Sequence, residues 1–396
     1  MADTPLIRFA DCELDLVAHE VRRAGEPCAV EPQVFDLLVH LARNPCRLVS
    51  KDELIAEVWG GRIVSDAALS SRIKSARRAI GDDGEQQRLI RTVHGRGFRF
   101  VATLEAALPA IEPAEMPRQD IQFCRTADGV RIAYSRIGSG PVLVRTGNWM
   151  THLEYDLESP IWRHLWRGLA RERCVVRYDA RANGLSDWDV GELSLDAFVR
   201  DLESVIEASG VDRFDLLGIS QGCPVSIAYA VRHPDRVRRL VLYGGFAVGR
   251  ARRGAVEREQ NAASLTLVRH GWGQENPAFR QLFTSQFVPD GTKEQENWLN
   301  NLQRVTVSPE NAARYLAAVG EFDVSDMLGE VRTPTLVMHA QGDARVPFES
   351  GRQLAAGIPG ARFVPLESRN HLILEGEPAS PRFLAELRAF LDAPAT

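Results

Sequence analysis

The sequence predicts two domains: a small N-terminal α+β unit and a larger C-terminal α/β unit with a doubly wound, mostly parallel sheet. Beyond Gly140, short apolar strands alternate with helical segments, which is typical of a parallel sheet covered on both faces. Residues 104–118 carry three prolines among alanines and glutamates, and this composition is typical of a semi-rigid linker. We therefore expect domains at 1–103 and 119–394, and a chain of 396 residues can bury both cores.

The composition is that of an ordinary soluble protein. Hydrophobic residues make up 44% and charged residues 26% of the chain, and no apolar run approaches the roughly 20 residues that a membrane span needs. The N-terminus lacks the basic-then-apolar layout of a signal peptide. The six cysteines show neither paired nor metal-ligand spacing. We expect a cytoplasmic protein with reduced thiols and without a membrane, metal or cofactor partner.

The first sixty residues predict a small sheet followed by two helices. Residues 6–30 alternate in short segments separated by turn residues, which indicates antiparallel strands. Pro32 opens a helix at about 33–43 with its apolar residues on one face. Ser50 and Glu53 stand at the spacing of a capping box, so a second helix begins there.

A third helix, at about 66–80, carries most of the positive charge of this domain. Its apolar stripe consists of Leu69, Ile73, Ala76 and Ile80. Its other face consists of Arg72, Lys74, Ser75, Arg77 and Arg78. Residues 62–103 carry 9 Lys/Arg against 4 Asp/Glu, whereas residues 1–61 carry 6 against 11. Such a cationic helix suits phosphate and base-edge contacts in a major groove, although charge alone is equally consistent with a solvated face.

A hairpin closes the domain, with strands at 88–93 and 98–102. Its turn, 94–97, places Arg96 between two glycines beside His94. A tip of this kind can lie against a nucleic-acid backbone or in a minor groove. We call this hairpin the wing.

Residues 6–103 resemble the winged helix-turn-helix of the OmpR/PhoB response-regulator family along the whole domain. The matching features are the leading strands, S-K-D-E-L-I-x-x-V-W in the second helix, V-S-D-x-x-L-x-x-x-I-x-x-x-R-R-A-I in the third, and R-T-V-H-G-R-G-F-R-F in the wing. The resemblance implies binding to double-stranded DNA. It implies DNA-facing positions at Arg72, Lys74, Ser75, Arg77, Arg78, His94 and Arg96, with His94 where the family often has arginine. Members normally receive a signal from a receiver or a membrane sensor, so we expect the remaining chain to supply it.

The second domain opens with a hairpin that turns at Asp128-Gly129, and strands and helices then alternate. Strands are predicted at 142–145, 174–178, 214–217, 239–243, 335–339 and 361–365, and helices at 162–170 and 195–209. Residues at about 246–325 interrupt this alternation with helical sequence rich in aromatic residues. We expect this insertion to form a cap over the site.

The chemistry of this domain centres on Ser220, in Gly218-Ile219-Ser220-Gln221-Gly222. This Gly-x-Ser-x-Gly segment lies between a predicted strand and a predicted helix, and small residues let the chain turn sharply there. The serine hydroxyl would then stand above the sheet, with the N–H of Gln221 directed toward a developing oxyanion.

A nucleophilic serine needs a base and a group that orients the base. Asp343 follows the strand at 335–339, and His371 follows the final strand. Both therefore lie at the carboxyl edge of the sheet, where open α/β sheets place their sites.

Residues 119–394 resemble the α/β-hydrolase fold, with Y-D-A-R-A-N-G-L-S-D at 178–187 as a further match. The resemblance implies Ser220 as nucleophile, Asp343 as acid and His371 as base. It implies an oxyanion hole formed by the backbone N–H groups of Gln221 and Asn148. Thr146-Gly147 stands where His-Gly is common in the family.

The whole chain is interpreted as a one-component transcriptional regulator. Its hydrolase domain would sense, and hydrolyse, a small ester, lactone or other acyl ligand and thereby control DNA binding by the winged helix. A second interpretation is a catalytically silent receptor in which Ser220 only positions the ligand. A third is an ordinary esterase that uses its winged helix for dimerisation or localisation. A homodimer is expected because one winged helix reads only a short half-site.

Overall fold

The computed structural model describes residues 6–16, 19–45, 47–59, 64–93, 95–104, 118–272, 274, 276 and 278–394. The chain divides into two compact units, Met1–Glu115 and Met116–Thr396. Each unit has its own hydrophobic core. The predicted fold class, α+β followed by α/β, is confirmed. Most of the predicted linker, 105–117, lies outside the described residues.

The N-terminal unit contains three helices and two small sheets around one hydrophobic core. The first sheet is antiparallel and consists of β1 (Leu6–Phe9), β2 (Cys12–Asp15), β3 (Glu20–Arg23) and β4 (Glu26–Cys28). The helices are α1 (Pro32–Arg43), α2 (Lys51–Trp59) and α3 (Asp66–Ala79). The second sheet has the order β5 (Leu48–Ser50), β7 (Gly97–Phe100), β6 (Ile90–Val93), so the predicted wing is the β6–β7 hairpin.

Local sequence explains where these helices begin. Ser65 caps α3 because its hydroxyl accepts a hydrogen bond from the Ala68 N–H at 3.2 Å. Ser50 accepts from the Glu53 N–H at 3.1 Å in the same way at α2. Of the two hydrogen bonds of the predicted capping box, the one accepted by the Ser50 hydroxyl is present. The Glu53 carboxylate, which would form the other, contacts Arg47 and His40.

The C-terminal unit is built on one sheet of eight strands. In spatial order these are β15 (Arg362–Leu366), β14 (Thr335–Ala340), β13 (Val237–Tyr243), β12 (Phe214–Ile219), β10 (Val142–Arg145), β11 (Cys174–Tyr178), β9 (Arg131–Ile137) and β8 (Asp120–Arg125). The six strands from β10 to β15 pair in parallel, whereas β8 and β9 add an antiparallel edge. The helices that accompany the sheet are α4 (Leu153–Leu157), α5 (Arg163–Ala170), α6 (Leu195–Ser209), α7 (Gly222–Arg232), α12 (Phe348–Gly357) and α13 (Ala379–Asp392).

A helical insertion separates β13 from β14, as the sequence predicts. It contains α8 (Ala255–Gly271), α9 (Ala278–Phe287), α10 (Lys293–Thr306) and α11 (Pro309–Gly320), with short 3-10 helices at Arg250–Arg252 and Ser325–Glu330. Trp149, from the loop after β10, stacks on Trp272 of this insertion with ring centroids 5.2 Å apart. We call the insertion the cap.

No helix in the described part of the chain is long and apolar enough to cross a bilayer.

Candidate active site and nucleic-acid interface

Ser220 occupies a strained turn between β12 and α7. Its φ is +54°, a left-handed conformation that non-glycine residues seldom adopt, and its N–H donates to the Tyr243 carbonyl at 2.8 Å. Gly218 lets the helix approach, because a Cβ there would lie 2.7 Å from the Ser226 hydroxyl oxygen. The turn therefore holds the Ser220 hydroxyl at the carboxyl edge of the sheet.

The structure brings Ser220, His371 and Asp343 together. His371 Nε2 lies 2.9 Å from Ser220 Oγ, and His371 Nδ1 lies 2.7 Å from Asp343 Oδ2. The other oxygen of Asp343 accepts from the backbone N–H groups of Arg345 and Val346, at 2.8 and 2.9 Å. The side chains of His371 and Asp343 are fully buried. This is the arrangement in which an oriented imidazole can take a proton from a serine.

The electrostatics keep Asp343 charged. Burial alone would raise the pKa of Asp343, but His371 and the Val346 N–H outweigh it and hold that pKa below its ordinary value. A charged carboxylate fixes the imidazole with its Nδ1 hydrogen toward Asp343, which leaves Nε2 to face Ser220.

His339, which is absent from the predicted site, lies beside Asp343. Its Nε2 is 3.0 Å from the Val346 carbonyl oxygen and 3.5 Å from Asp343 Oδ2. Burial lowers the pKa of His339, so the ring is neutral and supports the acid loop rather than transferring protons. The sequence signal for this role was the position of His339 near the end of β14, four residues before Asp343.

Gly244 is a second residue that the sequence analysis missed. Its φ is +59°, and a Cβ there would lie 3.2 Å from Cε1 and 3.4 Å from Nδ1 of His371. Only glycine meets both requirements without displacement of the imidazole. The signal was the pair of glycines that directly follows β13.

The cap is hydrogen-bonded to the loop that carries the histidine. The backbone N–H groups of His371 and Leu372 both donate to the carbonyl of Phe287 at the end of α9, at 2.8 and 3.2 Å. The Phe287 ring also lies edge-on to the His371 ring, with centroids 5.4 Å apart.

Gln221 and Asn148, the predicted oxyanion residues, line the same cavity as Ser220. Gln221 is the N-cap of α7, so its N–H lies at the positive end of a helix. The Asn148 side chain accepts a hydrogen bond from Arg145, which fixes the loop after β10.

A cavity opens beside Ser220. Its walls are largely apolar, and the cap contributes Leu299, Leu302, Leu316 and Val319. Three arginines outside the predicted site also line it: Arg250, Arg253 and Arg345. Within the described ranges, no group of three or more His, Cys, Asp or Glu residues is placed to hold a metal ion.

The predicted DNA-facing residues have different environments. Lys74 and Arg78 of α3 are exposed, as is Arg96 at the tip of the wing. Ser75 is half-buried, and Arg72 forms an ion pair with Glu31 at 2.6 Å. His94 lies outside the described residues.

The prediction that Arg77 faces DNA is wrong, because its side chain points into the domain and is only 8% exposed. Its guanidinium donates to the Ile90 carbonyl at 2.7 and 3.1 Å and to the Thr92 hydroxyl at 2.9 Å, and so ties α3 to the wing. The helical period was the signal: position 77 follows Ile73 by four residues and precedes Ile80 by three, which places it on the buried stripe.

Comparison with known proteins finds relatives for both units. Residues 25–100 match the family described as "Transcriptional regulatory protein, C terminal", and residues 156–378 match the "alpha/beta hydrolase fold" family. The chain is 28% identical over 265 residues to pyrrolizixenacetamide deacetylase of Xenorhabdus hominickii, across 66% of this chain and 94% of the relative. It is 37% identical over 95 residues to the DNA-binding response regulator MtrA of Mycobacterium tuberculosis, across 24% of this chain and 42% of that relative.

A solved structure supports the same assignment. A hydrolase from Pseudomonas aeruginosa PA01, 25% identical, superposes with a TM-score of 0.59 over 69% of this chain and 99% of its own. The hydrolase family model spans more than half of the chain. The protein therefore belongs to the α/β hydrolase fold family and carries an OmpR/PhoB-type DNA-binding domain at its N-terminus.

Proposed function

We propose that the protein is a one-component transcriptional regulator whose hydrolase domain binds and hydrolyses a small acyl ligand. The observation that carries this proposal is the hydrogen-bonded chain from Ser220 through His371 to Asp343, beside a cavity, on the same polypeptide as a DNA-binding domain. Because the proposed partner is DNA, we also propose a cytoplasmic location.

In the proposed reaction, Ser220 Oγ forms a bond to the carbonyl carbon of an ester, lactone or amide while His371 Nε2 takes the hydroxyl proton. The carbonyl electrons move onto oxygen, where the N–H groups of Gln221 and Asn148 would stabilise the charge. As the bond to the leaving group breaks, His371 returns its proton to that group. Water, deprotonated by the same imidazole, then releases the acid and restores Ser220.

The similarity to a protein named a deacetylase favours acyl transfer to water over other chemistry. The strained backbone of Ser220 favours it as well, because such strain persists where the position of the nucleophile matters. A receptor without turnover would need neither the strain nor Asp343.

The catalytic part of the proposal is tested by hydrolysis of p-nitrophenyl acetate by the wild type and by Ser220→Ala. We expect turnover by the wild type and a loss on the order of 10⁶-fold in the variant. If both proteins are equally inactive while a ligand still changes DNA binding in each, the receptor interpretation replaces hydrolysis.

The regulatory part is tested by a gel shift with the DNA upstream of the protein's own operon, at low and at moderate salt. We expect a complex that weakens steeply as salt increases. Absence of a complex at low salt would leave the esterase interpretation, in which the winged helix serves another purpose. Light scattering tests the proposed homodimer, and a monomer both with and without DNA would contradict it.

A further inference from the structure

Three guanidinium groups line the cavity that holds Ser220. Arg250 and Arg253 come from the 3-10 helix and turn at the start of the cap, and Arg345 comes from the loop that carries Asp343. Arg345 and Arg253 lie over aromatic rings, 5.3 Å from the centroid of Phe287 and 5.2 Å from that of Phe246. Aromatic faces hold the planar groups in place but supply no counter-charge.

Asp343 attracts Arg345 and Glu257 attracts Arg253, but neither acid lines the cavity. Among the described residues that line it, none is Asp or Glu. No carboxylate oxygen in the described part of the chain lies within 4 Å of any of the three guanidiniums. The hydrogen-bond partners of the three guanidiniums are neutral. Arg345 donates to the amide oxygen of Gln286 at 3.0 Å, and Arg250 donates to the amide oxygen of Gln260 at 2.7 Å. Arg253 donates to the Val248 carbonyl at 2.8 Å.

The arginines also act on one another. Burial and the repulsion from Arg250 and Arg253 outweigh the attraction of Asp343 and lower the pKa of Arg345 to about 10. At neutral pH it still carries its charge, so the cavity is strongly cationic. Like charges that face a largely apolar space destabilise the empty site, and an anion placed between them removes that cost.

We propose that the ligand of this site carries a carboxylate in addition to its reactive acyl group, and that Arg250, Arg253 and Arg345 bind this carboxylate. The inference rests on the proposed function, which supplies the acyl group at Ser220. It narrows the substrate class to carboxylate-bearing esters, lactones or amides with an apolar body, because the cap supplies leucines and valine to the rest of the wall. The arginines then set specificity and orientation, while Ser220 and His371 perform the chemistry.

The test compares monomethyl adipate with methyl hexanoate, two esters of equal chain length of which only the first ends in a carboxylate. Calorimetry on full-length Ser220→Ala measures binding without turnover. We expect monomethyl adipate to bind at least about 10-fold more tightly, which corresponds to one charge-assisted hydrogen bond. Equal affinity for the two esters would overturn the proposal.

Arginine variants locate the effect within the protein. Arg250→Gln and Arg345→Gln, each in the Ser220→Ala background, should reduce the preference for the carboxylate about 10-fold. Arg252→Gln is the matched control, because Arg252 lies between two of the three arginines in sequence but pairs with Asp323 at 3.3 Å and does not line the cavity. If Arg252→Gln reduces the preference as much as Arg250→Gln does, general positive charge rather than this site explains the binding.

The two proposals fail separately. If the wild type hydrolyses neither ester, the proposed hydrolysis is contradicted for these esters. The calorimetric comparison then still decides whether a carboxylate is bound. If the wild type hydrolyses both esters with equal kcat/KM and binds them equally, the serine chemistry stands and the carboxylate site does not.

Discussion

Arg77 and Arg78 are neighbours in α3, and their side chains serve opposite purposes: Arg77 donates into the wing at Ile90, whereas Arg78 is exposed. We expect Arg78→Ala to weaken DNA binding across sequences and to reduce the salt slope by about 1, with an unchanged melting temperature. Arg77→Ala should lower the free energy of unfolding of the domain by about 1–3 kcal/mol, because the hydrogen bonds from a charged group to the wing are lost.

Gel shifts over a salt series together with thermal melts separate these two outcomes. Each variant is the control for the other, since both remove one arginine from the same turn of α3. A melting temperature lowered equally by both substitutions would contradict the assignment.

Asp343→Asn tests the orienting role of the acid. The amide cannot hold the imidazole in the required tautomer, so we expect kcat to fall by about 10⁴-fold with little change in stability. The readout is ester turnover across a pH series, with circular dichroism as a check on folding. Asp326→Asn, at an exposed acid in the segment before β14, should leave turnover unchanged. Turnover within about 10-fold of wild type would exclude Asp343 from the mechanism.

Gly244→Ala tests the space beside the imidazole. The added methyl group would lie 3.2 Å from His371 Cε1, and the residue would keep a φ of +59°. We expect kcat to fall about 10- to 100-fold through displacement of the base. Gly210→Ala is the matched control, because Gly210 has a φ of +64° and open space around it. That variant should show a similar backbone cost of about 1 kcal/mol but normal turnover, and loss of turnover in both would refute the steric explanation.

Asp156 gives a prediction for stability against pH. Burial raises the pKa of Asp156 to about 7, even though Arg177 lies 3.9 Å away and Arg145 is nearby. The folded protein therefore binds a proton that the unfolded chain releases near pH 4, so this group lowers stability as pH rises from about 4 to about 7. Asp156→Asn should gain stability relative to wild type over that window and show a constant difference above it. Urea unfolding at several pH values measures this, and a difference independent of pH would contradict it.

Much of the fold, and the placement of Ser220, Asp343 and His371 at one edge of the sheet, could be predicted from sequence because the signals are local. A strand, a Gly-x-Ser-x-Gly turn and a helix follow one another directly, and Asp343 and His371 each come just after a strand. Chain order then places all three at one edge of a parallel sheet.

Other features depend on contacts between distant segments, so local pattern does not predict them. The helical period places Arg77 on the buried stripe of α3, but it does not predict the hydrogen bonds of Arg77 to the wing at Ile90, thirteen residues away. The cationic cavity depends on the approach of Arg345 to Arg250 and Arg253, which lie almost a hundred residues earlier. In both cases the position of an arginine, usually a surface residue, is set by segments that are distant in sequence. Amino-acid composition therefore does not predict it.

The carbonyl of Phe287 accepts hydrogen bonds from the backbone N–H groups of His371 and of Leu372, so the loop that carries the imidazole is anchored to the cap as well as to the sheet. A displacement of α9 would therefore change the distance between His371 Nε2 and Ser220 Oγ, which is 2.9 Å. The alignment of Ser220 and His371 thus depends on where the cap lies.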